Sequence, residues 1–144
     1  MPATAGYSGT PLAVKLGIKE GHSVAVLGAP AGFANTLEGL PPDVKVRTAT
    51  RGTNDVVVSF HTQRHDLERR VPTLLATLDV DGGLWIAWPK KASKVPTDIT
   101  DHVVREVFLP LGLVDNKVCA ISDVWTGVRV VWRLENRAAR RSAR

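Results

Sequence analysis

Residues 84–100, LWIAWPKKASKVPTDIT, decide how the chain reads. The opening apolar run, with no regularly spaced polar positions, suits a strand buried on both faces. Three lysines follow within five residues (Lys90, Lys91 and Lys94), and Pro96-Thr97-Asp98 marks a helix start. A strand that feeds a loop and then a helix is one unit of an alternating α/β sheet. At such junctions open α/β sheets hold their ligands.

The same grammar extends in both directions. Upstream, Leu67, Val71, Leu74, Leu75 and Leu78 form one face of an amphipathic helix that Pro72 should kink or restart. Asp79–Gly83 read as a turn. DVVVSFHT (55–62) is a β-branched strand, VKVRTAT (44–50) a more alternating one closer to an edge, and SVAVLGAP (23–30) a buried one. A short helix is expected after Thr10-Pro11 and another over 31–39. Downstream, Val103, Val104, Val107, Phe108 and Leu111 give a second helical stripe, closed by Pro110 and Gly112. KVCAISD (117–123) and GVRVVWRL (127–134) read as a terminal hairpin.

The order α-β-α-β-β-α-β-α-β-β predicts a three-layer, Rossmann-like α/β fold. Its sheet has six strands, mainly parallel, and ends in an antiparallel hairpin. The expected organisation is a flexible arm over 1–9, one domain over 10–134 and a basic tail over 135–144.

The chain has 144 residues, 44% hydrophobic and 23% charged, which suits one soluble domain. It has no apolar run long enough to span a bilayer and no signal-like start, so a cytoplasmic location is expected, with no membrane partner. The single cysteine, Cys119, excludes an intrachain disulfide and is expected to be buried and inert. The net charge of +5 is local. Residues 129–144 carry six arginines against Glu135, which leaves thirteen residues of each sign before them. The tail reads as a solvated end, with nucleic acid as the alternative partner through Arg137, Arg140, Arg141 and Arg144.

Two resemblances add to this. YSGTPLAVKLGIKEGHSVAVLGAPAGF, the WPKKASKVPTDIT block and LPLGLVDNKVCAISDVWTGVRVVWR resemble a family of small bacterial proteins known only as a domain of unknown function. That resemblance covers residues 6–133 and implies no activity. The glycine-ended first strand and the hairpin after PLGLVDNKV are similar, at fold level, to a shortened class I S-adenosylmethionine-dependent methyltransferase. Such a fold implies a cofactor at the carboxyl ends of the first strands, held by a glycine-rich turn and by an acidic residue ending strand two. Here the turn, Gly28 to Phe33, keeps Gly28 and Gly32, but Pro30 lacks a backbone donor. Strand two ends in Arg47-Thr48-Ala49-Thr50, with no carboxylate. The resemblance therefore implies the fold with a lost or altered cofactor site, and no cofactor is assigned.

The candidate ligand residues gather on the carboxyl edge: Gly28, Gly32, His61, Trp88, Lys90, Lys91, Ser93, Lys94 and Thr97. The lysines, loop amides and helix start suit a small anion. The expected function is a non-catalytic binding or regulatory domain. The alternatives are a transferase with a modified pocket and an adaptor acting through the arginines. No Ser-His-Asp order, Walker motif or metal set is expected to carry catalysis. Trp85 and Trp88 should face opposite sides of their strand, Trp125 is a candidate exposed contact, and Trp132 is assigned to the core or a homodimer interface.

Overall fold

The computed structural model describes residues 10–142. The proposed N-terminal arm and Arg144 lie outside them. Six strands form one sheet: β1 (Ser23–Leu27), β2 (Lys45–Arg47), β3 (Asn54–Phe60), β4 (Leu78–Pro89), β5 (Leu113–Ala120) and β6 (Trp125–Trp132). Their order is β2-β1-β3-β4-β6-β5. The first four run parallel, and β6 is antiparallel to both its neighbours. Four α-helices accompany them: α1 (Leu12–Lys15), α2 (Arg64–Thr77), α3 (Asp101–Phe108) and α4 (Leu134–Ser142). The α/β, Rossmann-like reading with a terminal hairpin is therefore correct.

Alternation along the strands builds two cores. Ala25, Leu27, Val57, Leu84, Ile86 and Trp88 pack with Leu67 and Leu74 of α2 and Val104 and Phe108 of α3. Val24, Val26, Val56, Val58, Phe60, Trp85 and Ala87 pack with Leu12 and Leu16 on the opposite face. Trp85 and Trp88 thus divide between faces as their three-residue spacing requires. Trp132 is buried in the first core.

Four local expectations change. Asp79–Gly83 is not a separate turn before the strand, because β4 starts at Leu78. Asn54 pairs with Leu78 and Val56 already with Gly83, so residues 79–82 bulge out of the ladder. Helix α2 runs unbroken through Pro72, which is exposed, as is Glu68 one turn earlier, so the proline lies on the solvent side of the helix, where losing a backbone donor costs least. Helix α3 starts at Asp101, later than Pro96-Thr97-Asp98 suggests. Its cap is Thr100, whose Oγ1 accepts from the Val103 amide at 3.2 Å. Replacing Thr100 by alanine should cost about 1 kcal/mol in urea unfolding, the usual value of such a cap. Finally, residues 134–142 are a helix rather than an unstructured tail.

A polar clamp closes the amino edge of the sheet. Buried Asn54 donates to Thr77 Oγ1 (2.8 Å) and accepts from Ser23 Oγ (2.8 Å), while Thr77 donates to the Gly52 carbonyl (2.9 Å). The Asp55 carboxylate accepts from the Ser23 amide at 2.9 Å. These bonds satisfy polar groups that burial would otherwise penalise, and they leave the carboxyl edge as the open end.

Candidate functional site at the carboxyl edge

The chain leaves β1 for β2 on one side and returns to β3 on the other. The β1/β3 boundary is therefore the topological switch point, where open α/β sheets bind ligands. Gly28 and Gly32 turn the chain there with φ of 69° and 83°, values that side chains other than glycine rarely adopt. A Cβ at Gly28 would also lie 3.1 Å from the Phe60 carbonyl. The turn frames a cavity of about 390 Å³ lined by Val26, Gly28, Ala29, Pro30, Gly32, Phe33, Ala34, Leu37, Val46 and Thr48. That is a small-ligand volume. Among the described residues its walls are apolar apart from Thr48 and the main chain, and none contributes a carboxylate. Val46 and Thr48 face the cavity, so alternation turns Arg47 to the other side.

Aromatic rings extend from the cavity along the sheet. Phe33 meets Phe60 edge-to-face at 4.9 Å, and Phe60 meets Trp125 at 5.1 Å. Trp125 is accordingly half-buried against the second core, not a free surface ring.

The lysine loop occupies the end of β4. Two strand spacings, about 10 Å, separate β4 from β1. Lys90 is half-buried, and Lys91 and Lys94 are exposed. Among the described residues no carboxylate lies within ion-pair distance of any of the three. The loop's own hydrogen bonds are largely internal. The Lys90 amide donates to the Val124 carbonyl, the Ser93 and Lys94 amides to Lys90 and Lys91, and Ser93 Oγ to the Lys90 carbonyl. Thr97 Oγ1 donates to the Thr62 carbonyl at 2.7 Å. Unlike the Ser93 and Thr97 hydroxyls, the three ammonium groups have no partner among the described residues. The helix start that was to assist them lies further on, at Thr100.

His61 and Trp88 sit beneath this edge. Trp88 is 8% exposed within the first core, so its ring offers no open face for stacking. His61 is 4% exposed and lies in a hydrogen-bond chain that sequence reasoning missed. Ser59 Oγ is 2.6 Å from His61 Nε2, and His61 Nδ1 is 2.7 Å from Asp66 Oδ2. With a carboxylate on one side, Nδ1 carries the proton and donates, and Nε2 accepts from the serine. Ser59 lies on β3, His61 directly follows it, and Asp66 lies in the first turn of α2, so the sharp β3–α2 connection assembles the three. Ser59 is 1% exposed, which makes the chain a fastener of that connection rather than an open nucleophile site.

Burial pushes the His61 imidazole below its ordinary pKa, outweighing Asp66, which pulls the other way. The hydrogen bond from His61 holds the Asp66 carboxyl below its usual range. The folded state therefore resists protonating His61, whereas the unfolded chain takes that proton near pH 6.5. Stability from this group is complete above pH 6.5 and falls as pH drops toward the lower folded value. Asp66 contributes stability above about pH 4, lost on further acidification. Urea unfolding at pH 7.5 and 5.5 should show a larger loss for the wild type than for His61→Gln. Equal losses would disprove the assignment.

Arg137, Arg140 and Arg141 are engaged with the body of the protein. Arg141 donates to Asp81 at 2.5 Å, Arg137 to the Trp132 carbonyl at 2.9 Å, and Arg140 lies 4.1 Å over the Trp132 ring.

No family model and no curated protein matches the chain. Solved structures do. An Aeropyrum pernix fibrillarin with natively bound S-adenosyl-L-methionine is 14% identical with a TM-score of 0.58, over 88% of this chain and 71% of that one. An Aquifex aeolicus SAM-dependent methyltransferase is 17% identical with a TM-score of 0.55, over 84% and 93%. A Lactobacillus delbrueckii ribosomal protein L11 methylase is 12% identical with a TM-score of 0.51, over 79% and 71%. The chain has a class I methyltransferase-like fold. At these identities the likeness establishes the architecture alone. No helix among the described residues is long and apolar enough to cross a membrane.

Proposed function

We propose that the protein is a non-catalytic small-molecule-binding domain on a methyltransferase-like fold. Its ligand would place an apolar or planar part in the Gly28–Thr48 cavity and an anionic group toward Lys90, Lys91 and Lys94. The observation that carries this reading is the cavity itself, at the switch point and opened by two positive-φ glycines. Three unpaired lysines about two strands away suit the charged end of the same molecule.

S-adenosylmethionine fits this site only in part. The cavity accommodates an apolar moiety, but its lining offers Thr48 and no carboxylate to a ribose diol, and Pro30 removes one turn amide. The only serine–histidine pair described at this edge is sealed inside the fold. These features weigh against a transferase, the second reading, which rests on the fold of the SAM-binding neighbours.

Thermal denaturation with millimolar adenosine monophosphate, inorganic phosphate and S-adenosylmethionine tests the choice. A mononucleotide should raise the midpoint by roughly 5 °C at saturation, and phosphate alone by much less. A shift with S-adenosylmethionine alone would favour the transferase. Silence from all three would refute the pocket proposal.

A further inference from the structure

We propose that Arg129 and Lys117, side by side on the α1 face of β6 and β5, bind the phosphodiester backbone of a nucleic acid. This surface is separate from the carboxyl-edge cavity, and the proposal does not depend on it.

Lys117 and Arg129 are direct cross-strand partners. Like charges in that relation destabilise a sheet unless something compensates them. Arg129 is also half-buried, yet among the described residues its side chain hydrogen-bonds only to Asn116, Nη1 donating to Oδ1 at 3.4 Å. No carboxylate among the described residues pairs with it. The acids that might have served are committed elsewhere: Asp115 to Arg105, and Asp81 to Arg137 and Arg141. Burial and the nearby Arg137 both act against the Arg129 charge. A cation held this way costs stability in the free protein. An anion from outside relieves that cost.

The seat is built for this side chain. The Arg129 guanidinium lies over Gly83 of β4, where a Cβ would collide with it. A side chain at position 83 would have to displace the guanidinium from this seat.

A backbone polyanion suits the patch better than one small anion. Its charges come from more than one element: Lys117 on β5 and Arg129 on β6 stand side by side, and Arg137 of α4, itself shared with Asp81, is close enough to act on Arg129. The net charge of +5 would assist the approach of such a partner. No aromatic among the described residues is strongly exposed, and cations alone read phosphates, not bases, so binding should be salt-dependent and indifferent to sequence.

Fluorescence anisotropy of the full chain with a labelled single-stranded DNA of mixed sequence tests this. Arg129→Gln should weaken binding at least about fivefold and lower the slope of log K against log salt by about one contact. Lys117→Gln, at an exposed position, should behave alike and keeps the test valid if the Arg129 variant misfolds. Ala34→Trp, in the cavity, should leave DNA binding unchanged. Wild-type binding by both charge variants would overturn the proposal, as would loss confined to Arg140 and Arg141 variants or no binding at low salt.

Discussion

Trp85→Ala should cost about 3–5 kcal/mol, read as a lower urea midpoint with little change in slope. Trp85 is fully buried and central to the core beneath α1. Its Nε1 donates to the Leu16 carbonyl at 3.0 Å, tying the segment after α1 to β4. Truncation leaves both a cavity and an unpaired carbonyl, and domains of this kind have only about 5–15 kcal/mol to lose. Trp85→Phe keeps most of the volume and isolates the hydrogen bond at about 1–3 kcal/mol. Equal costs for the two variants would show that packing contributes little there.

Ala34→Trp should abolish ligand-induced stabilisation while the protein stays folded. Ala34 is exposed and lines the cavity between Phe33 and Leu37, so an indole there fills space a ligand would need. The whole mononucleotide shift of roughly 5 °C should vanish. A full shift in this variant would move the ligand away from the β1–β2 cavity.

Much of the architecture was legible because its signals were strong and local. The β-branched run at 55–62 and the apolar runs at 23–30 and 84–88 specify buried strands, and 117–134 specifies a hairpin. The misread features depend on contacts remote in sequence. The 79–82 bulge is set by how β4 registers on β3. Pro72 stays within α2 because its side faces solvent. Residues 135–144 read as a tail on charge alone, yet Asp81 and Trp132 supply partners for Arg141 and Arg140 of α4.

The candidate site was legible in part. The carboxyl edge and the Gly28–Gly32 turn follow from strand order and glycine placement. The structure unites these two glycines with Thr48 and Val46, which carried no distinctive sequence signal. Their places at strand ends suggest Trp88 and His61 as ligand contacts, but both side chains are turned into the interior. The Ser59–His61–Asp66 chain had a readable clue in the period-two spacing of Ser59 and His61. What was hidden was the tight connection that brings the first turn of α2 back over β3.

The decisive experiment is a crystal structure of the chain with a bound mononucleotide. Density is expected in the Gly28–Thr48 cavity, beneath the Gly28–Phe33 turn, with the phosphate directed along the carboxyl edge toward Lys90. Density at the amino edge, or on the sheet face away from that cavity, would contradict the proposed function.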